Sequence, residues 1–362
     1  MNNDELLRAT DFTEYVPRVM GSWKLEFEHL PLEKEEPREL LYHYTTPEGL
    51  LGILESGSIG ATHVRYLSDR TELKNALSPE FENLLLDGLF PNANEKLKEE
   101  LRKFRMHDSK YEVYIASFTD DGSVHSGDGV RPGDRLSQWR AYSNSAGGFS
   151  LGFDSKLIME GWKTTGLRGT IGSFLLRCRY SSDEKRNAAK RIGSWGFRAL
   201  AYISESRLCH FRSEVGREPN QAEHYMIEFG SMCSALGVID GQYFSREAAR
   251  FKDEAFSEEC EWRIVVNVER QKLLDAHCSD YSSPIIHFRH GKFGVTPYID
   301  LPLQLTSSDS PLRRIVVGPS PYEEEAVEGV KLLLESKGIK MKTQTSNVGV
   351  EVVPSKIPYR NR

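Results

Sequence analysis

No two cysteines of this chain stand in a CxxC pair, and there are only five of them in 362 residues. Cys178, Cys209, Cys233, Cys260 and Cys278 are scattered and odd in number, which argues against a disulfide framework or a cysteine-based zinc site and implies reduced thiols in a cytoplasmic protein. No apolar run approaches membrane-spanning length, and the N-terminus, MNNDELLRATDF, is acidic with no apolar core, so no membrane partner is expected. The ten histidines form no HExxH, and no metal site is expected. GxGxxG and P-loop motifs are absent as well. Neither sign of charge dominates: 47 Lys and Arg against 53 Asp and Glu give a net charge of -6, so a nucleic-acid partner needs a local basic patch, and none stands out.

What is present is organised around Phe256–Val268, FSEECEWRIVVNV. Its alternation predicts a strand with Trp262, Ile264 and Val266 on the core face and Glu261, Arg263 and Val265 on the other, with Glu259 and Glu261 together at its entry. Two accounts of Glu261 stand side by side: an ion pair with Arg263 on a half-exposed strand, or a carboxylate placed for chemistry at the mouth of a sheet.

Residues 1–38 read as a charged leader and 39–362 as one domain. Glu39–Thr45 has strand composition, and Thr46, Pro47 and Glu48 open a helix that Gly57 stops. Ile59–Thr62 is a second short strand, followed by helices over about 69–89 and 95–107 and a strand over Tyr111–Phe118. The Gly-, Asp- and Ser-rich stretch 120–135 is a candidate lid. Leu136–Tyr142 is helical, and Gly148–Asp154 and Ser173–Tyr180 are strands. Ser181 and Glu184 form a capping box ahead of a helix, and a second helix opens near Pro219. Together they predict an inserted helical hairpin over about 182–237, whose basic residues Lys185, Arg186, Lys190, Arg191 and Arg198 offer a surface for partner contact. Short strands near 284–288, 298–305, 313–317 and 349–353, with a helix over 322–336, complete the chain. Without steady βαβ alternation, the expectation is an α+β fold on a mixed or antiparallel sheet.

Two apparent motifs carry no chemistry in this setting. Gly148–Gly152 matches GxSxG, but the nucleophile elbow needs a strand-turn-helix and Ser150 lies inside an alternating strand. Asp69 and Glu72 resemble the acids of a metal-dependent nuclease, yet they fall at a helix start, where acids favour the positive end of the dipole.

The segments LYHYTTPEGLLGILESGSIGATHVRYLSDRTEL, IASFT, LSQWRAYS, GGFSLGFD, EECEWRIVV and IVVGPSPYEEEAVEGVKLLL, in that order, resemble the bacterial family called domain of unknown function 2971. The likeness runs from about residue 40 onward, and it implies a bacterial or prophage protein, often in an anti-phage defence setting. A more distant resemblance is to ADP-ribosyltransferases, which place a His or Arg on an early strand, an aromatic or Ser-Thr-Ser element in the middle and a Glu at a later strand start. His43-Tyr44-Thr45, Ser117-Phe118-Thr119 and Glu259-Cys260-Glu261 fall in that order, with Phe118 inside the middle element.

That resemblance implies a sheet of ADP-ribosyltransferase-like type and NAD as substrate. Glu261 then stabilises the ribosyl cation, Glu259 orients the acceptor, and His43, Tyr44, Thr45, Ser117, Trp139 and Arg140 hold the dinucleotide. His43 and Glu261 are expected to meet in one cleft. The function implied is transfer of ADP-ribose to a macromolecular acceptor, or NAD cleavage. Two alternatives stand beside it: a non-catalytic module that senses a nucleotide or a phage component, and a nuclease using Asp69 and Glu72.

Overall fold

The computed structural model describes residues 36–67, 79–90, 111–120, 132–144, 147–165, 170–238, 245–269, 286–291, 294–306, 310–343 and 348–358, with 95, 98 and 99. Among the described residues, ten strands form one open, mixed sheet: β1 (Leu40–Thr45), β2 (Ser58–His63), β3 (Tyr111–Thr119), β4 (Phe149–Asp154), β5 (Thr170–Arg177), β6 (Glu261–Glu269), β7 (His287–Gly291), β8 (Gly294–Pro302), β9 (Leu312–Val317) and β10 (Glu351–Pro354). Among the described strand pairs, only β9–β10 is parallel. The helices are α1 (Pro47–Ser56), α2 (Pro79–Leu89), α3 (Leu136–Tyr142), α4 (Ser155–Thr165), α5 (Ser182–Val215), α6 (Gln221–Val238), α7 (Ser245–Ala248) and α8 (Glu323–Ser336). None of the described helices is long and apolar enough to cross a membrane.

β3 is the branch point. One edge is filled by β6 along its whole length, from Tyr111 opposite Glu269 to Thr119 opposite Glu261. The other edge is shared: β1 pairs only at Tyr42 opposite Thr119, whereas β2 pairs at Thr62 and His63 opposite Ile115 and Tyr114. Two strands cannot occupy one edge at one level, so β1 and β2 splay apart on either side of residues 116–118. β4, β9 and β10 continue the sheet beyond β1, and β8 and β7 continue it beyond β2.

Local sequence accounts for the element ends. The Thr46 hydroxyl accepts from the Gly49 amide at 3.3 Å, Pro47 begins α1, and Gly57 closes it in the left-handed region at φ 64°. At α5 the capping box is reciprocal, with the Glu184 amide donating to Ser181 Oγ at 3.2 Å and the Ser181 amide donating back to Glu184 Oε2 at 3.2 Å. The strand over 148–154 is β4, between β1 and β9, and Ser150 is fully buried within it, so no nucleophile elbow forms. Helix α4 was not legible in the sequence; Asp154 caps it by accepting from the amides of Lys156 and Leu157.

Pleating puts the main core on one face, where Leu41, Phe118, Phe153, Trp262, Ile264 and Val266 pack together. The opposite face carries a cluster of Val113, Ile115, Leu176 and Val265, and another of Tyr42, Tyr44, Trp139 and Val316. The expected alternation on β6 is found, but both of its faces are buried. Within the described residues the chain divides into two compact units, one taking 79–90 and 185–238, the other the sheet with its remaining helices. The leader to residue 35, most of the first two-helix stretch with Asp69 and Glu72, and residues 121–131 of the expected lid lie outside the described residues. Where the lid stretch re-enters at 132, it is anchored: Gly133 takes φ 77°, and a Cβ there would lie 2.4 Å from the Tyr42 ring.

Candidate functional site

Three groupings of side chains gather the residues singled out in the sequence. The first lies at the entry to β6. Cys260 ends a 3₁₀ turn, Glu254–Glu259, in the left-handed region at φ 44°. Glu259 and Glu261, on either side of that bend, both accept from Lys252 Nζ, at 2.6 and 2.5 Å. On the strand, Arg263 Nε donates to Glu261 Oε1 at 2.8 Å and Nη2 to Oε2 at 3.2 Å, while Nη1 donates to the Ala249 carbonyl at 2.7 Å. The side chains of Lys252, Glu261 and Arg263 are 6%, 5% and 2% exposed, so this is an interior ion triad.

Burial alone would raise the Glu261 pKa, but the charges of Arg263 and Lys252 and their hydrogen bonds override it and hold the carboxyl down at about 2. Burial likewise works against the Lys252 ammonium, and Glu261 and Glu259 together keep it protonated. The Tyr142 hydroxyl is pushed up to about 12, first by burial and then by the charges of Glu259 and Glu261. The Tyr180 hydroxyl accepts from the Glu261 amide at 2.7 Å.

The second grouping is aromatic. Tyr44 and Trp139 meet edge to face with ring centroids 4.8 Å apart. Trp139 Nε1 donates to Asp134 Oδ1 at 2.8 Å, and the buried Asp134 also accepts from Ser355 Oγ at 2.5 Å and the Lys356 amide at 2.7 Å. The Arg135 amide donates to the Tyr44 hydroxyl at 3.0 Å, and its guanidinium donates to the Glu258 carbonyl. Arg135 thus links the aromatic group to the turn carrying Glu259. Arg140, on the same short helix as Trp139, is exposed.

The third grouping sits where β1 and β2 part. His43 Nδ1 donates to the Ser117 carbonyl at 2.9 Å, and the imidazole packs at a tilt on Phe118 with centroids 5.7 Å apart. Burial, followed by the opposing pull of the Ser117 carbonyl and then the charge of Arg289, leaves the net His43 pKa below its usual value. The ring is therefore neutral at pH 7, with the Nε2 lone pair available as an acceptor. Thr45 turns away to α1, where a Cβ on Gly49 would lie 1.9 Å from Thr45 Oγ1.

The structure brings Glu259 to Glu261, Tyr44 to Trp139, and His43 to Ser117. It does not bring His43 to Glu261. Tyr42 is paired with Thr119 and Thr119 with Glu261, so these three share a face, and His43, the next residue along β1, projects from the other. The expected single cleft for His43 and Glu261 is corrected on this point. Lys252, Tyr142, Tyr180 and Arg289 were not anticipated, because each reaches its group through tertiary packing with no local motif to mark it.

No curated protein and no solved structure matches the chain. Residues 138–264, from α3 to the middle of β6 and including Trp139, Arg140, Glu259 and Glu261, match the family described as Protein of unknown function (DUF2971).

Proposed function

We propose that the chain is a nucleotide-binding module, with a ligand of the NAD class seated in the fork between β1 and β2. The observation that carries this is His43: its Nδ1 is fixed on the Ser117 carbonyl and its neutral Nε2 is left as an acceptor suited to a ribose hydroxyl. The order of His43, Ser117 and the Glu259–Glu261 pair, which resembles ADP-ribosyltransferases, supports a dinucleotide. So does the splayed sheet, which we read as ADP-ribosyltransferase-like in type. In this view the helices α5 and α6 form an inserted hairpin that meets a macromolecular partner, and binding, in an anti-phage defence setting, is the signal.

The carboxylates speak against a simple transferase. A group that stabilises a developing ribosyl cation must offer uncompensated negative charge, and both Glu261 oxygens are taken by Arg263 and Lys252. ADP-ribose transfer, or NAD cleavage, is nevertheless favoured by one feature: Glu259, which the resemblance assigns to orienting the acceptor, is 17% exposed beside Tyr142 at the entry to β6, with Oε2 on Lys252.

Calorimetric titration of the full chain with NAD and ADP-ribose, run beside an assay for released nicotinamide, decides between these. Binding that is lost in His43→Ala, with no nicotinamide released, is the expected result. Turnover that disappears in Glu259→Gln would establish the enzyme instead, and no binding of either compound would remove the module.

A further inference from the structure

Arg289 lies on β7 and faces across β8 toward β2. Its Nη2 donates to Thr62 Oγ1 at 2.6 Å, and its guanidinium carbon stands 5.1 Å from the centroid of the Tyr298 ring. Nη1 lies over Gly60, where a Cβ would come within 3.2 Å of it, so glycine leaves the space the guanidinium occupies. Arg289 is exposed as a residue while its head group rests on neutral partners; partial burial lowers its pKa, against the opposing effects of Tyr298 and Asp300.

Among the described residues, no carboxylate is within ion-pair distance of Arg289. Asp300, the acid next along β8 on that face, is engaged by Ser58 Oγ at 2.8 Å and by His287 at 3.3 Å. A guanidinium positioned by a hydroxyl and a ring, which feels the charge of the already engaged Asp300 but makes no direct ion pair with it, is arranged for an anion that arrives from outside.

Thr62 is paired with Ile115, so Gly60, two residues back on β2, stands level with Ser117. Arg289 covers Gly60 and His43 is fixed to Ser117, so the two heads stand at one level of the fork, Arg289 over the face that carries Thr62 and Ile115 and His43 reaching in from the other, near enough for the Arg289 charge to act on the imidazole.

We infer that Arg289 is the phosphate anchor of the ligand bound at His43, so that the chain recognises a phosphorylated nucleoside and discriminates against the bare nucleoside. The planar guanidinium takes two phosphate oxygens while His43 Nε2 accepts from a sugar hydroxyl. The identity of the sugar rests on the function proposed above; the anion subsite does not.

Titration of the full chain with adenosine, AMP, ADP-ribose and inorganic pyrophosphate tests it. The wild type is expected to bind AMP at least about tenfold more tightly than adenosine, the scale of a charge-assisted pair. Arg289→Ala should erase that preference and leave adenosine binding unchanged; Arg289→Lys should restore part of it, since it returns the charge without the fork. An Arg289→Ala protein that keeps the wild-type preference overturns the inference. If no nucleoside compound binds, the function proposed above falls by itself. Pyrophosphate then decides the subsite: a thermal shift in the wild type that is missing in Arg289→Ala sustains it, and no shift in either refutes it.

Discussion

His43 and Glu261 project from opposite faces of the same sheet although they lie at the same end of it. Tyr42 and Glu261 both stand in register with Thr119 through its two neighbouring strands, and one residue along β1 reverses the direction of the side chain. The two residues that a transferase needs in one cleft therefore serve different neighbourhoods: Glu261 a buried ion triad, His43 the fork between β1 and β2.

The triad makes Glu261→Gln a stability variant. It leaves Lys252 and Arg263 buried with too little negative charge around them, a loss of roughly 2–4 kcal/mol. The melting temperature should fall by roughly 5–10 °C on that scale. Adding Lys252→Met should recover part of the loss, and a double-mutant cycle by urea denaturation measures the coupling. A Glu261→Gln protein as stable as wild type would dissolve the structural role.

Acid should act through the same carboxyl. Its pKa is depressed in the folded chain to about 2 from a reference of 4.5, so its contribution is complete above pH 4.5 and is lost as the pH falls toward 2. That contribution is roughly 3 kcal/mol. Denaturant midpoints followed from pH 6 to pH 2.5 should drop for the wild type and drop less steeply for Glu261→Gln.

His43 is expected to stay neutral throughout the physiological range. Nitrogen chemical shifts of the labelled imidazole should report a proton on Nδ1 and a bare Nε2, with a titration midpoint below 6.5, as burial and the nearby Arg289 require. A protonated ring at pH 7 would contradict the acceptor role of Nε2, and a neutral ring with its proton on Nε2 would contradict the hydrogen bond to Ser117.

In the helical unit, Gly88 and Gly193 approach one another so closely that a Cβ on Gly193 would lie 2.7 Å from the Leu85 carbonyl oxygen and 2.8 Å from Gly88 Cα. Backbone cannot give way as a side chain does. Gly193→Ala should cost about 1–3 kcal/mol, the range for overpacked contacts, measured by thermal melting. Gly329→Ala on α8, where no atom lies within 4 Å of the added carbon, is the control and should not destabilise.

Asp134 ties the C-terminal segment to the aromatic group by accepting from Trp139, Ser355 and Lys356. Asp134→Ala should cost roughly 2–3 kcal/mol, because several buried donors lose their acceptor at once. Hydrogen exchange should show the Lys356 amide losing protection first. Unchanged exchange at Lys356 would mean that the segment is held by other contacts.

Elements whose signals are local can be read from the residues alone. Thr46, Pro47 and Gly57 bound α1, and Ser181 with Glu184 opens α5, because caps are made by neighbours three or four residues apart. Alternation placed Trp262, Ile264 and Val266 in the core and Glu261 with Arg263 on the other face of β6, since the pleat is a property of the strand alone. The pairing of Glu261 with Arg263 was legible for the same reason, though not its burial. Which strands share the edge of β3, and through that register which face each candidate residue occupies, emerges from long-range packing. The same packing brings Lys252 between Glu259 and Glu261, and Arg289 over Gly60 beside the fork. Strand order and register are settled by the burial of whole faces against one another, over separations that no short window of sequence records.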